Sequence, residues 1–152
     1  MTRTSKKPTL FVMIGPAGAG KSMFRCTIPW VCTVCPDTIR WAMFGDESCQ
    51  REPEKVFETA YKAAENLLCD GWDVVFDATN TTAFARKKLL NRVSGIDHKN
   101  VAIFMNTPLE ECKRRNSQRS RKVPEEVIER QYEQMLKDAG SIPEQFDEIV
   151  IV

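Results

Sequence analysis

The sequence predicts an α/β fold, a three-layer sandwich with a parallel sheet of about five strands and helices on both faces. Three observations predict it. Short apolar runs recur along the chain: LFVMI (10–14), VCTV (31–34), DVVFD (73–77), VAIFM (101–105) and DEIVIV (147–152). Helical patterns separate these runs, and mostly continuous apolar strands alternating with helices belong to a parallel sheet covered on both sides. Finally, GPAGAGKS (15–22) directly follows the first run. A strand, a Gly-rich turn and a helix start are what a phosphate-binding loop needs.

Each element has a local reason. Residues 1–8, with Arg3, Lys6 and Lys7, read as a flexible basic tail, and 9–152 as one domain. The tail lacks the apolar stretch of a secretory signal. After the loop, 21–28 can form only a short helix, because Pro29 cannot continue it. VCTV is a brief second strand, and Pro36-Asp37 opens a helix to about Phe44. Val56, Ala60, Ala63, Ala64 and Leu67 form the apolar stripe of a helix over 53–69, stopped by Gly71. DVVFD is the third strand. Ala85, Leu89 and Val93 mark a helix ended by Gly95, and VAIFM is the fourth strand. Pro108 starts the next helix and Pro124 a further one, with Ile128, Tyr132, Met135 and Leu136 on one face. DEIVIV is the last strand.

Composition narrows the function classes. A net charge of +1 gives no broad basic field for long duplex DNA, so a nucleic-acid partner would be gripped at an end or over a few nucleotides. The longest apolar runs are far short of a membrane span, and no membrane partner is expected. Six cysteines fit a reduced, cytoplasmic protein rather than a disulfide scaffold. Cys32 and Cys35 form a lone CxxC with His98 as the sole histidine, so no structural zinc is expected and the cysteines read as small buried apolar residues.

The chemistry-bearing residues follow the strands, since ligands of such sheets bind beyond the strands' carboxyl ends. In GPAGAGKS the cradle is Gly15, Ala17, Gly18, Ala19, Gly20, Lys21, Ser22 and the adjoining Met23. Lys21 would reach the donor's terminal phosphates and the Ser22 hydroxyl would ligate Mg²⁺. Asp37 and Arg40 follow the second strand and share one side of a helical turn. Together they can take a proton from an attacking hydroxyl and hold an acceptor's phosphate. The alternative is an N-cap with a surface ion pair. Asp77 follows the third strand, near the Mg²⁺ shell, directly or through water, or else as a turn cap. Asn80 and Arg86 are weaker candidates, with helix capping or a solvated face as the alternative. In CKRRNSQRSRK (112–122), Arg115 and Arg119 at i, i+4 suit a lid over 112–126 that neutralises charge on a transferring phosphoryl group. A solvated basic helix is the alternative there.

GPAGAGKS, Asp37-x-x-Arg40, VVFDATN and RRNSQRSRKVPEEVIERQY together resemble the kinase domain of the polynucleotide 5′-hydroxyl kinases, within the wider set of small ATP-binding P-loop kinases. The similarity runs from about Thr9 to Val152. It implies a P-loop NTPase fold of the nucleoside-monophosphate-kinase-like kind with a helical lid. It further implies ATP and Mg²⁺ as cofactors, and the end of a short or single-stranded nucleic acid as acceptor. By position, Asp37 matches the general base, Arg40 the acceptor-phosphate ligand and Asp77 the acid that positions this pair. Lys21, Ser22 and Arg119 match donor-phosphate contacts. Two other readings stand beside this one. One is a P-loop kinase of a nucleoside, sugar or antibiotic, which has no need of Arg40. The other is a non-catalytic nucleotide switch, which has no need of Asp37.

Overall fold

Residues 6–152 are described in the structure, a computed structural model. The strands are β1 (Thr9–Ile14), β2 (Cys32–Val34), β3 (Val74–Phe76), β4 (Lys99–Phe104) and β5 (Glu148–Ile151). The helices are α1 (Lys21–Arg25), α2 (Pro36–Phe44), α3 (Pro53–Cys69), α4 (Ala83–Val93), α5 (Leu109–Ser117), α6 (Glu125–Asp138) and α7 (Ile142–Gln145), with a 3₁₀ turn at Ala139–Ser141. The strands form one parallel sheet in the order β2-β3-β1-β4-β5. The chain therefore leaves β1 toward one edge and returns to its other side at β4. That reversal opens a crevice above β1, where the Gly-rich loop sits.

Alternation along β1 divides the core into layers. Leu10, Val12 and Ile14 face a cluster containing Ala60, Ala64 and Leu68 of α3 and Leu89 and Val93 of α4. Met13 faces the other side, with Val75, Ile103, Cys112 of α5 and Ile128 of α6. α6 serves both layers, since its Met135 joins the first cluster. α2 begins with Pro36 in its first turn and ends at Gly45, whose φ of 69° suits a glycine C-cap. Thr82 caps α4 by accepting a hydrogen bond from the Ala85 N–H at 3.1 Å.

Several expectations need correction. Cover on both faces holds for β1, β3 and much of β4, but β2 and β5 are edge strands and largely exposed. Leu136 is exposed, so the buried face of α6 is Ile128 and Met135, with Tyr132 partly covered. The α4 stripe is Arg86, Leu89 and Val93 rather than Ala85, Leu89 and Val93. Neither the 3₁₀ turn nor α7 was expected. Among the cysteines only Cys112 is buried, and Cys35, directly after the end of β2, is also the N-cap of α2. Of the basic tail, residues 1–5 lie outside the described residues. Lys7 forms an exposed ion pair with Asp97 at 2.9 Å. No helix among the described residues is long and apolar enough to cross a membrane.

Candidate active site

The loop between β1 and α1 is held from four directions. The Gly15 N–H donates to Thr79 O at 2.9 Å and the Ala17 N–H to Gln131 Oε1 of α6 at 2.9 Å. The carbonyl of Ala19 accepts from Thr107 Oγ1 at 2.8 Å and Arg115 Nη1 at 3.2 Å. Gly18 (φ 80°) and Gly20 (φ 95°) adopt left-handed backbone that other residues rarely take. A Cβ on Gly18 would lie 2.3 Å from Cys112 O, so loop and α5 approach as closely as only glycine allows. Because Gln131 takes the Ala17 N–H and Pro16 O takes the Ala19 N–H at 3.2 Å, the free cradle narrows to the amides of Gly18, Gly20, Lys21 and Ser22. There the first-turn amides of α1 have no helical acceptors.

Lys21 curls back over this cradle and donates to Gly15 O at 2.9 Å and Pro16 O at 2.8 Å. Burial pulls its pKa down to about 8. Asp77 and Asp37 oppose that shift, while Arg119 reinforces it. The ammonium therefore feels both candidate carboxylates and the expected lid arginine. Asp37, Asp77 and Arg119, from three different parts of the sequence, all lie within electrostatic range of Lys21.

Asp77 directly follows β3 and is buried, which raises its pKa against the pull of Lys21 and Arg25. Its Oδ2 accepts from Arg25 Nη1 at 2.7 Å. The expected partnership of Asp77 with Asp37 and Arg40 is thus replaced by a pairing with Arg25, which sequence reasoning missed. The signal was there: Arg25 lies one helical turn beyond Lys21 and shares its side of α1. Asn80 also departs from expectation. It is buried with φ 46°, and its Nδ2 donates to Met13 O at 2.9 Å, so its side chain locks β3 to β1 instead of facing an acceptor. Arg86 is fully buried and donates to Asn80 O, Asp138 O, Ser141 Oγ and Gln145 Oε1. It is a brace beneath the site, neither a cap nor a solvated face.

Asp37 and Arg40 meet as their spacing suggested, with Arg40 Nη1 donating to Asp37 Oδ1 at 2.7 Å. The Arg40 guanidinium lies 5.6 Å from the centroid of the Phe57 ring, and its Nε is buried with no partner. That orphaned donor leaves the guanidinium incompletely satisfied. The other Asp37 oxygen faces Arg121 Nη1 at 3.5 Å, which also lies 3.7 Å from Glu47. Arg121 was missed because it is one of several basic residues in its run, and helical spacing does not extend into the loop that carries it.

The expected lid resolves into the end of α5, an irregular loop and the start of α6. Asn116, itself buried, closes the base of the loop: its Nδ2 donates to Val123 O at 2.7 Å and its Oδ1 accepts from Val123 N–H at 3.0 Å. Lys113 ties α5 to α6 through Glu129 at 2.6 Å. Arg119 is exposed on the loop. Arg115, the expected second phosphate contact, is engaged by Glu111 at 2.9 Å and by Ala19 O, so here it supports the loop.

Ser22 is exposed at the start of α1, and Asp77 has one oxygen not committed to Arg25. Among the described residues no three His, Cys, Asp or Glu side chains form a metal cage. This donor set fits Mg²⁺, which keeps several waters and relies on substrate phosphates with one or two protein oxygens.

A family model described as an AAA domain matches residues 10–140. The chain belongs to that family. Nucleotide use comes with this membership, and the cradle geometry agrees with it. The chain superposes on a structure of the Pnkp1/Rnl/Hen1 RNA repair complex with a TM-score of 0.81 at 22% identity, over 93% of this chain and 48% of that one. A fungal RNA kinase gives 0.65 at 18% identity, over 97% and 38%. A gluconokinase from Sinorhizobium meliloti 1021 gives 0.60 at 18% identity, over 97% and 83%. The chain thus spans about half the length of the RNA repair protein or less of the RNA kinase, and shares with all three the P-loop kinase fold.

Proposed function

We propose that this chain is an ATP- and Mg²⁺-dependent phosphotransferase acting on the 5′-hydroxyl end of DNA or RNA. The observation that carries this reading is the Asp37–Arg40 pair, close enough to the cradle for Lys21 to feel the Asp37 charge. Asp37 accepts the proton of the attacking 5′-hydroxyl. As the new O–P bond forms, the bond from the γ-phosphorus to the β,γ-bridging oxygen breaks and ADP departs. Lys21 and Arg119 hold the equatorial oxygens where charge accumulates. When bound, Mg²⁺ would neutralise the β- and γ-oxygens from beside Ser22 and Asp77. Arg25 fixes the Asp77 carboxylate in place. Likeness to RNA kinases and to a gluconokinase alike leaves the acceptor to be chosen by Arg40, a guanidinium suited to an acceptor's own phosphate. A cytoplasmic setting is part of this reading and suits the unpaired cysteines.

The test is labelled γ-phosphate transfer to 5′-hydroxyl oligonucleotides, 3′-phosphorylated nucleosides, bare nucleosides and sugars. Arg40→Ala should impair phosphate-bearing acceptors roughly ten- to a hundredfold more than bare nucleosides. Equal losses, or activity confined to unphosphorylated sugars, would favour a small-molecule kinase. Nucleotide binding with no transfer to any hydroxyl would favour a switch.

A further inference from the structure

On α2, Asp37 shares its side of the helix with Arg40, Trp41 and Phe44, at i+3, i+4 and i+7. Aromatic residues at this spacing ordinarily face a core. Trp41 does not, being 64% exposed. Phe44 is partly covered, and the Arg51 guanidinium lies 4.8 Å from its ring centroid. From Asp37 to Trp41 is about 6 Å of helix, and to Phe44 about 10 Å. Next to a carboxylate flanked by Arg40 and Arg121 stands a large open π-face, followed by a second ring already stacked by a guanidinium.

We infer that Trp41 is the stacking platform for the base of the acceptor's 5′-terminal nucleotide, and that Phe44 with Arg51 extends the platform toward the next one. This rests on the polynucleotide reading of the site. A nucleotide whose 5′-oxygen approaches Asp37 has its base one sugar ring away, the distance at which Trp41 stands on the helix. Stacking needs no particular base, because every base has a π-face, so the platform would grip single-stranded ends of any sequence. The guanidinium groups of Arg40, Arg51 and Arg121 supply positive charge for the intervening phosphates. A sugar acceptor offers no planar ring to this surface.

The chain has two other tryptophans, Trp30 and Trp72. They precede β2 and β3, at the end of the sheet away from the site. A Trp30→Phe/Trp72→Phe variant therefore leaves Trp41 as the one indole reporter. Its fluorescence should be quenched by a 5′-hydroxyl oligonucleotide and much less by the same oligonucleotide with an abasic 5′-terminal nucleotide. In the otherwise unaltered protein, Trp41→Ala should raise the KM for the oligonucleotide roughly 5- to 100-fold. The KM for ATP should stay constant, and Trp41→Phe should restore most of the loss. The alanine variant should no longer distinguish the abasic acceptor from the complete one. Oligonucleotide phosphorylation with an unchanged KM in Trp41→Ala, or equal KM values for both acceptors in the parent protein, would overturn the platform and leave the polynucleotide reading standing. No transfer to any oligonucleotide, with transfer to a sugar, would overturn both.

Discussion

Replacing Arg86 by alanine tests whether the floor of the site is built around a buried guanidinium. The side chain is fully buried, and burial lowers its pKa against the pull of Asp138. It donates to Gln145 Oε1 at 2.8 Å, Asn80 O at 2.9 Å, Asp138 O at 2.7 Å and Ser141 Oγ at 3.0 Å. Gln145 and Ser141 are partly exposed and can turn to water. Asp138 O retains its bond from Ser141 Oγ, but Asn80 O sits inside and loses the buried donor. An orphaned buried carbonyl costs about 1–3 kcal/mol, and the void left by a long side chain adds about 2 kcal/mol or more. A loss of roughly 3–5 kcal/mol follows, which for a domain of this size lowers Tm by about 6–20 °C. Thermal melting followed by circular dichroism reads this directly. Arg86→Lys should recover little, because a single ammonium cannot reach acceptors arranged around a planar fork. A melting temperature within about 2 °C of the parent, with transfer activity abolished, would refute the structural role and return Arg86 to the reacting groups.

Three further outcomes follow from the site. The folded pKa of Lys21, about 8, lies below its ordinary 10.5, so the unfolded chain binds more protons between these values. The nucleotide-free protein should therefore gain stability as pH rises through that window, by up to roughly 3 kcal/mol, while nucleotide binding near its upper half should take up a proton. Calorimetry in buffers of different ionisation enthalpy measures that uptake, and none at about pH 9 would contradict the burial of the ammonium. Gly18→Val should abolish nucleotide binding, since its Cβ would meet the Cys112 carbonyl at 2.3 Å, and a parental ATP affinity would count against the cradle. Arg119→Ala should slow transfer about 10²- to 10³-fold at nearly constant ATP affinity, and a parental single-turnover rate would remove it from the mechanism.

The frame of this molecule was legible because its strands are apolar and its turns are marked by Gly, Pro and Asp. LFVMI followed by GPAGAGKS placed β1 and the cradle together, and Asp37 and Arg40 meet because three residues make most of a helical turn. What stayed hidden depends on long-range partners. Arg86 occupies a core position of α4, yet periodicity alone cannot tell an arginine that braces from one that is solvated. Asn80 looked available until Met13 O, 67 residues away, was seen to accept from it. Arg25 needed Asp77, 52 residues away, to have a role. α7 is too short for its own hydrophobic period, and its Ile142 is buried only because the first core cluster is there to receive it.

The loop carrying Arg119 and Arg121 has one further consequence. Only Ser120 separates the arginines, yet Lys21 in the cradle feels the charge of one while the other stands opposite Asp37. On the proposed mechanism, a shift of the loop that brought Arg119 onto a donor phosphate would carry Arg121 with it and change the charge facing Asp37. Affinity for one proposed substrate would then depend on occupancy by the other, and the dependence would be reciprocal. Whatever factor the nucleotide applies to the binding of the hydroxyl end, the hydroxyl end must apply to the binding of the nucleotide.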